Sequence, residues 1–595
     1  SMAYLKRTAN CGQLRASDAG KTVTLNGWVH RKRDHGGISF INLRDRHGVT
    51  QVVVDSDAGA ALRAAADELK SEYCVAVRGT VRPRPDSMVN PNMDTGAIEL
   101  KIEELQILSR CETLPFVIDE KVDAKEDLRL KHRYLDMRSA SMQRKLRLRH
   151  EAALAVRNFM ASKGFYEIET PTLIKTTPEG ARDFLVPSRV NPGKFYALPQ
   201  SPQLFKQILM VGGFDRYFQL ARCYRDEDAR GDRQLEFTQI DLEMSFVERD
   251  DVLSLVEEMV VDLFRKTMGV ELETPFARIA YDDAIELYGT DKPDLRFGMA
   301  MQDFAALSGA GTFQAFHDAV AAGGAVKALV VPGKADYSRK QIEELEAQAK
   351  VYGAKGMAFM KAGAGGSLEG GVSKFFAGQE KTILDRLGAK EGDLVLLVAD
   401  PKKSVACASL GAVRSKLGAE LGLCDPKTFK FAWVIDFPMF EWNEDERKWD
   451  PAHHMFTMPQ ERFHATMEKD PGPVKGDLYD LVMNGYEMAS GSIRIHDPEL
   501  QKRVFNIVGF SEEEAMNKFG FLVEAFKYGP PPHGGAALGF DRLVMLMAGE
   551  STIREVIPFP KNTFGISPLD ECPSPAEAEQ LDDLHIRIVE KADSN

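Results

Sequence analysis

Residues 222–246, RCYRDEDARGDRQLEFTQIDLEMSF, place four arginines and seven acidic residues in 25 positions. From Phe237 onward the pattern alternates. Ile240, Leu242, Met244 and Phe246 are apolar, while Gln239, Asp241, Glu243 and Ser245 point the other way. A period of two is that of a strand, with one face packed and the other turned to water or to a polar ligand. A preceding strand ends at Arg225, and the loop DEDARGDRQL joins the two. A solvated hairpin would need nothing more, whereas a binding surface would need further polar groups to meet it.

Two such groups lie further along the chain. NGYEMASGSIRIHD, 484–497, reads as a short strand carrying Glu487 and Arg494 among small residues. Strict alternation puts these two on opposite faces, so a common site requires a bulge near Gly491. In HGGAALGFDRLVMLMAG, 533–549, a glycine-rich strand runs into an apolar helix with Arg542 at its start. Glycines there allow a ligand close to the backbone, and a helix N-terminus with an arginine favours an anion. Upstream, an amphipathic helix over roughly 140–163 precedes GFYEIETPTL. A strand carrying Pro171 belongs at an edge or an interface, because proline cannot complete a central ladder.

The N-terminal 110 residues alternate in short runs split by Gly, Pro and Asn, as in KTVTLNGWVHRKR and GISFINLRDRHGVTQVVVD. About five strands with one helical interruption predict a small closed barrel of the OB type. The chain as a whole carries a net charge of −13, which speaks against nucleic acid, yet residues 26–51 hold five Lys/Arg against two acids. This segment could meet single-stranded nucleic acid, with Phe40 stacking on a base; equally, Phe40 could belong to the barrel core. Residues of about 290–425 are rich in Ala and Gly, with GAVKALVVPG and GDLVLLVAD each followed by a helical run, and read as an inserted α+β domain. Its GAGGSLEGG lacks the Lys-Ser/Thr of a phosphate-binding loop. Seven scattered cysteines without a CxxC pair argue for neither zinc nor a disulfide framework, and with no long apolar run the expectation is a cytoplasmic protein without a membrane segment.

Taken in order, these pieces resemble a bacterial-type aspartyl-tRNA synthetase, of the class II aminoacyl-tRNA synthetases, over essentially the whole chain. The helix ending in GFYEIETPTL resembles motif 1, RCYRDED…QLEFTQIDLEMSF motif 2, and GFDRLVML motif 3; QSPQLFKQ and GSIRIH add to the match. The resemblance implies a multidomain α+β fold. It comprises an OB-fold anticodon-binding domain over 1–110, a connector over 111–145 and a class II catalytic domain with an antiparallel sheet in two parts, 146–290 and 426–560. Between those parts lies the inserted α+β domain, 291–425, and a C-terminal extension follows over 561–595. The implied reaction is ATP-dependent attachment of L-aspartate to tRNA through an aspartyl-adenylate, with Mg2+. By resemblance Arg225 and Arg542 hold the α- and γ-phosphates, Glu227 and Gln234 seat ATP beside Gly539, Phe540 and Asp541, and Asp480 and Glu487 are the magnesium carboxylates. Arg494 and Lys206 would take the aspartate side chain, with Asp241 orienting them. Glu179 would meet its ammonium group near Ser201 and Gln203, and His453 would contact the substrate. Pro171 would lie at a homodimer interface.

On the barrel the resemblance assigns Phe40, Gln51 and Glu99 to anticodon bases and Arg33 to the backbone. His35 departs from the leucine of enzymes restricted to tRNA-Asp and resembles enzymes that also charge tRNA-Asn for a downstream amidotransferase. The RPRPDSM segment around Ser87 lacks the glycine of some relaxed relatives, which leaves a strictly tRNA-Asp-specific enzyme as the near alternative. A synthetase-like RNA-binding protein without catalysis is the alternative from another class; intact Arg225, Glu227, Glu487, Arg494 and Arg542 speak against it.

Overall fold

The computed structural model describes residues 3–177 and 180–592. They divide into two compact units.

The first unit comprises residues 1–149, 229–231 and 554–575. Its N-terminal strands Thr22–His35, Ile38–Asp45, Gly48–Val54, Ile98–Ser109 and Cys74–Pro83 close into a barrel in that order around it. Leu25, Val29, Ile41, Leu43, Val52 and Leu100 fill the interior, so alternate positions face outward. Phe40 is one of the outward positions: it is half-buried and outside the core cluster. The remainder of this unit is held by a buried ion-pair cluster. Arg129 pairs with Glu555 at 2.8 Å and with Asp136 at 3.1 Å, Arg133 with Asp136 at 2.9 Å, and Lys145 with Glu555 at 2.9 Å.

The second unit contains an eight-stranded sheet. Its order is Ala277–Ala280, Phe431–Pro438, Lys475–Met483, Tyr486–Ile493, His533–Gly539, Glu236–Ser245, Arg216–Tyr224 and Tyr166–Glu167. It is antiparallel except at its two outermost pairings. The charged stretch read first thus lies in a central hairpin, paired with the glycine-rich strand on one side, Glu243 opposite Gly535, and with Arg216–Tyr224 on the other. The helix Arg249–Met268 starts at a capping box between Glu248 and Asp251 and stops at the left-handed Gly269. It buries Val252, Val256, Met259 and Leu263, a stripe at helical spacing.

The inserted region forms a five-stranded antiparallel sheet in the order Gln302–Asp303, Ala325–Val331, Leu394–Asp400, Ala358–Ala362 and Leu368–Glu369. Separate apolar clusters cover its two faces. Ser338 caps the helix Arg339–Val351 by accepting from the Gln341 N–H.

Three local expectations fail, each for a physical reason, and a fourth is sharpened. The polar face of Glu236–Ser245 does turn to a cavity, which Gln239 and Asp241 line, but it is not wet: Asp241 and Glu243 are 1% and 0% exposed, because their charges are paired internally. Phe246, expected to pack, is 76% exposed, since the strand ends at Ser245 and Phe246 turns out at φ 57°. Pro171 is exposed and outside any strand; the edge strand stops at Glu167. The bulge lies at Met488, where Leu481 pairs with Ala489 and Val482 with Glu487, rather than near Gly491.

Candidate active site

A cavity of about 550 Å3 opens in the second unit over the hairpin and the two neighbouring strands. Its floor is a buried charge quartet. The Lys206 ammonium, from the helix Gln203–Val211, lies 2.9 Å from Asp241 and 3.9 Å from Glu243. Glu243 in turn accepts from Arg494 Nε and Nη2 at 3.2 and 3.3 Å, a bidentate geometry. Ser492 Oγ accepts from Arg494 Nη1 at 2.5 Å, and Tyr217 donates to Asp241 at 2.9 Å. Burial works against the charge on Glu243, but Arg494 and then Lys206 hold its carboxyl below the usual range. For Asp241 burial wins over Lys206, and its carboxyl is raised. Gly535 makes room for this array: a Cβ there would stand 1.8 Å from Glu243 Oε1.

Beside Arg494, His454 Nε2 lies 3.3 Å from Nη1. Burial and the Arg494 charge push its imidazole well below the ordinary histidine range, so it is neutral at pH 7. His453 lines the same cavity, its ring edge-on to Phe437 at 5.3 Å.

The opposite end of the cavity is cationic. Arg225 stacks over the Phe237 ring at 5.0 Å, and Arg542 donates to the Glu487 carbonyl at 2.6 Å and to Asp232 at 3.0 Å. Nε of each arginine is buried without a hydrogen-bond partner. Asp541 fixes the hairpin to the helix by accepting from the Thr238 N–H at 2.7 Å. Asp480 lies beneath the lining, 5% exposed, with Oδ1 unpartnered. Burial first, and then Glu487, lifts the Asp480 carboxyl well above the usual range; burial also raises Glu487, opposed by Arg542. Two carboxylates that repel each other beside an orphaned oxygen fit a divalent cation. Among the described residues no three His, Cys, Asp or Glu side chains gather to hold a metal by themselves. Magnesium is commonly bound in this way, by one or two carboxylates with phosphate oxygens and water completing the shell.

The structure therefore brings Ser201, Gln203, Lys206, Arg225, Glu227, Gln234, Asp241, His453, Glu487, Arg494, Gly539, Asp541 and Arg542 to one cavity. Phe540 is 2% exposed and packs inward instead. Glu179 lies outside the described residues, although its neighbours Gly180 and Ala181 line the cavity. Sequence reasoning missed Glu243, His454, Ser492, Tyr217 and Asp232. Glu243 was discoverable, because it shares its strand face with Asp241.

On the barrel, Arg33 lies over the Phe40 ring at 5.1 Å. Gln51 donates to Glu99 at 3.1 Å, and Arg82 holds the other Glu99 oxygen at 2.8 Å. His35 is exposed at the end of its strand, and Ser87 is exposed in a 3-10 turn, Asp86–Met88.

The family description "tRNA synthetases class II (D, K and N)" matches residues 125–563. The chain belongs to the class II tRNA synthetases. In this synthetase residues 23–108 match the OB-fold nucleic acid binding domain. A relative from Treponema denticola, named aspartate–tRNA(Asp/Asn) ligase, is 66% identical over 99% of the synthetase and 100% of its own length. One of the same name from Treponema pallidum is 58% identical over 99% and 98%. The asparaginyl-tRNA synthetase of Pyrococcus horikoshii with asparaginyl-adenylate shares the synthetase's fold, with a TM-score of 0.58 at 18% identity over 93% of this chain and 98% of that one.

Proposed function

We propose that this synthetase activates L-aspartate with ATP and transfers it to both tRNA-Asp and tRNA-Asn. The observation that carries the amino-acid choice is the Lys206–Arg494 pair at the cavity floor, 1% and 2% exposed and backed by Asp241 and Glu243. A substrate carboxylate fits two desolvated cations; an amide would leave them incompletely satisfied. The aspartate side chain is therefore bound by Arg494 and Lys206, with Glu243 and Asp241 fixing the direction of each cation. Ser201, Gln203 and His453 line the space around the backbone of the amino acid, and Glu179 is proposed for its ammonium group.

The α-carboxylate must then approach the α-phosphorus of ATP, anion to anion. Catalysis here is positioning and charge neutralisation, and no side chain need become a covalent nucleophile. Arg225, braced on Phe237, is proposed for the α-phosphate and Arg542 for the γ-phosphate; their unpartnered Nε groups leave donor capacity for the ligand. Glu227 and Gln234 seat the nucleotide. Asp480 and Glu487 would hold Mg2+, which supplies charge neutralisation along the triphosphate when bound. Attack of the α-carboxylate forms the adenylate and releases pyrophosphate; attack of the terminal ribose hydroxyl then forms the ester and releases AMP.

The barrel is proposed to read the anticodon through Phe40, Gln51 and Glu99, with Arg33 on the backbone and His35 and Ser87 in the two loops that set tolerance. The names of the Treponema relatives support charging of tRNA-Asn as well, which implies an amidotransferase that consumes Asp-tRNA-Asn. Exposed Tyr166 and Leu173, flanking exposed Pro171 near the sheet edge, support a homodimer through this edge. Aspartylation of tRNA-Asp and tRNA-Asn transcripts, assayed side by side, tests the reading. Comparable charging of both is expected; charging of tRNA-Asp alone would overturn the dual specificity, and charging of neither would overturn the enzyme.

A further inference from the structure

Behind the amino-acid pocket, side chains that the proposed reaction does not use form a line across the sheet. The strand Arg216–Tyr224 sets Tyr217 opposite Glu243 and Gln219 opposite Asp241. Residues two apart, and residues directly paired, share a face, so all four stand on the side that carries the pocket. Beyond that strand lies the sheet edge. Tyr166 pairs with Tyr217 in parallel, and Ile168 donates its N–H to the Phe218 carbonyl at 3.2 Å. The chain then leads through half-buried Thr170 to exposed Pro171.

A continuous set of hydrogen bonds runs from that edge to the pocket. Gln219 Nε2 donates to Thr170 Oγ1 and to the Tyr217 hydroxyl, both at 2.7 Å. The hydroxyl donates to Asp241 Oδ2 at 2.9 Å, and Lys206 Nζ donates to Asp241 Oδ1 at 2.9 Å. The direction of the set follows from counting protons. An ionised carboxylate only accepts, so the single phenolic proton goes to Asp241, and the hydroxyl can only accept from its other neighbour. The nitrogen of the Gln219 amide, not its oxygen, therefore faces Tyr217. At the pocket end, Lys206 gives a second proton to the Leu242 carbonyl at 3.2 Å. Its third proton has no acceptor within hydrogen-bond distance among the described residues, Glu243 standing 3.9 Å away, and is left for a ligand.

Burial makes each link matter. Tyr217 and Gln219 are 0% and 8% exposed. Burial raises the Asp241 carboxyl, while Lys206 and then the Tyr217 hydroxyl oppose that rise. Without the hydroxyl, Asp241 would keep a buried oxygen unpaired, and would draw Lys206 towards it or take up a proton. Either change alters the ammonium that the substrate carboxylate is proposed to meet.

We propose that Tyr217 and Gln219 are positioning residues for aspartate binding: through Asp241 they fix the direction of the Lys206 ammonium, and Thr170 anchors the set at the sheet edge. The proposal rests on the synthetase reading, with Lys206 as an aspartate ligand. Neither Tyr217 nor Gln219 is among the residues lining the cavity, so their effect must pass through Asp241.

The test is aspartate-dependent ATP–pyrophosphate exchange by the full-length protein, with the KM for aspartate, the KM for ATP and kcat measured separately. Tyr217→Phe should raise the aspartate KM about tenfold, with kcat and the ATP KM within about twofold of the wild type. Gln219→Leu should raise the aspartate KM about fivefold alone, yet less than about twofold when added to Tyr217→Phe, because it acts only through the hydroxyl. Thr170→Val, at a half-buried position, should raise it about threefold, and Thr170→Ser should leave it unaltered. That pair keeps the test open should Tyr217→Phe fail to fold. A wild-type aspartate KM in Tyr217→Phe, equal rises for aspartate and ATP, equal values in Thr170→Val and Thr170→Ser, or fully multiplicative effects of Tyr217→Phe and Gln219→Leu would each overturn the proposal. No exchange by the wild type with aspartate would instead overturn the synthetase reading, and the proposal with it.

Discussion

Two buried clusters in this molecule use the same ingredients to different ends. In the first unit, Arg129, Arg133 and Lys145 meet Asp136 and Glu555. In the second, Lys206 and Arg494 meet Asp241 and Glu243. The first cluster is closed: Arg133 also donates to the carbonyls of Arg554, Ile557 and Pro558. The second forms the floor of a 550 Å3 cavity, and nearby Arg225, Arg542 and Asp480 each keep a buried polar atom without a partner. Buried charge as such therefore does not identify a site. Charge that is paired from below and left open above does.

Substitutions on the two sides should separate stability from specificity. The largest effect is expected for Arg494→Leu, which removes one proposed aspartate ligand and leaves Glu243 buried without it. Aspartate-dependent ATP–pyrophosphate exchange should fall by at least about a thousandfold, while the circular dichroism spectrum and the binding of tRNA persist. Normal exchange would remove Arg494 from the pocket. Glu243→Gln keeps the shape but weakens the brace; the aspartate KM should rise by about 10–100-fold with a smaller change in kcat. An equal loss in both parameters would instead assign Glu243 to the transition state.

The closed cluster should respond in stability alone. Burial opposes ionisation of Glu555, but hydrogen bonds from Arg129 and Lys145 lower its carboxyl from 4.5 to about 2. A depressed carboxyl stabilises the fold above its unfolded pKa and loses that contribution as pH falls through the folded one. Glu555→Gln should therefore cost about 3 kcal/mol at pH 7 by denaturant unfolding. The gap from the wild type should narrow as pH falls from 4.5 towards about 2. A gap that did not change with pH would mean that packing, not charge, is the contribution. The smallest effect is expected on the barrel, where His35→Leu should reduce charging of tRNA-Asn about tenfold and leave tRNA-Asp within about twofold. Equal changes on both tRNAs would show that His35 does not discriminate.

Much of this arrangement was legible in the sequence because its signals are local. The alternation after Phe237 placed a strand correctly, and the glycines of HGGAALG marked the strand that must approach it closely. The barrel followed from short alternating runs, and a shift in composition marked the region that carries the separate five-stranded sheet. What alternation could not supply was the third dimension. It left the polar face of Glu236–Ser245 to water or a ligand, without showing that Lys206, 35 residues earlier, reaches across to pair with it from below. It placed the bulge at the glycine, while the register slips at Met488. The brace from Glu243 was visible as a face partner of Asp241, but its target, 251 residues away, was not. Phe40 was ambiguous for a related reason: period two assigns a residue to a face without saying which face is inside.

Two buried cations, Lys206 and Arg494, are proposed to select a substrate with a second carboxylate. The measurement that tests it most directly is ATP–pyrophosphate exchange by the wild-type enzyme with aspartate and with asparagine at matched concentrations. Exchange is expected with aspartate, with a kcat/KM for asparagine lower by at least about a thousandfold; comparable values for the two amino acids would show that Lys206 and Arg494 do not select the carboxylate.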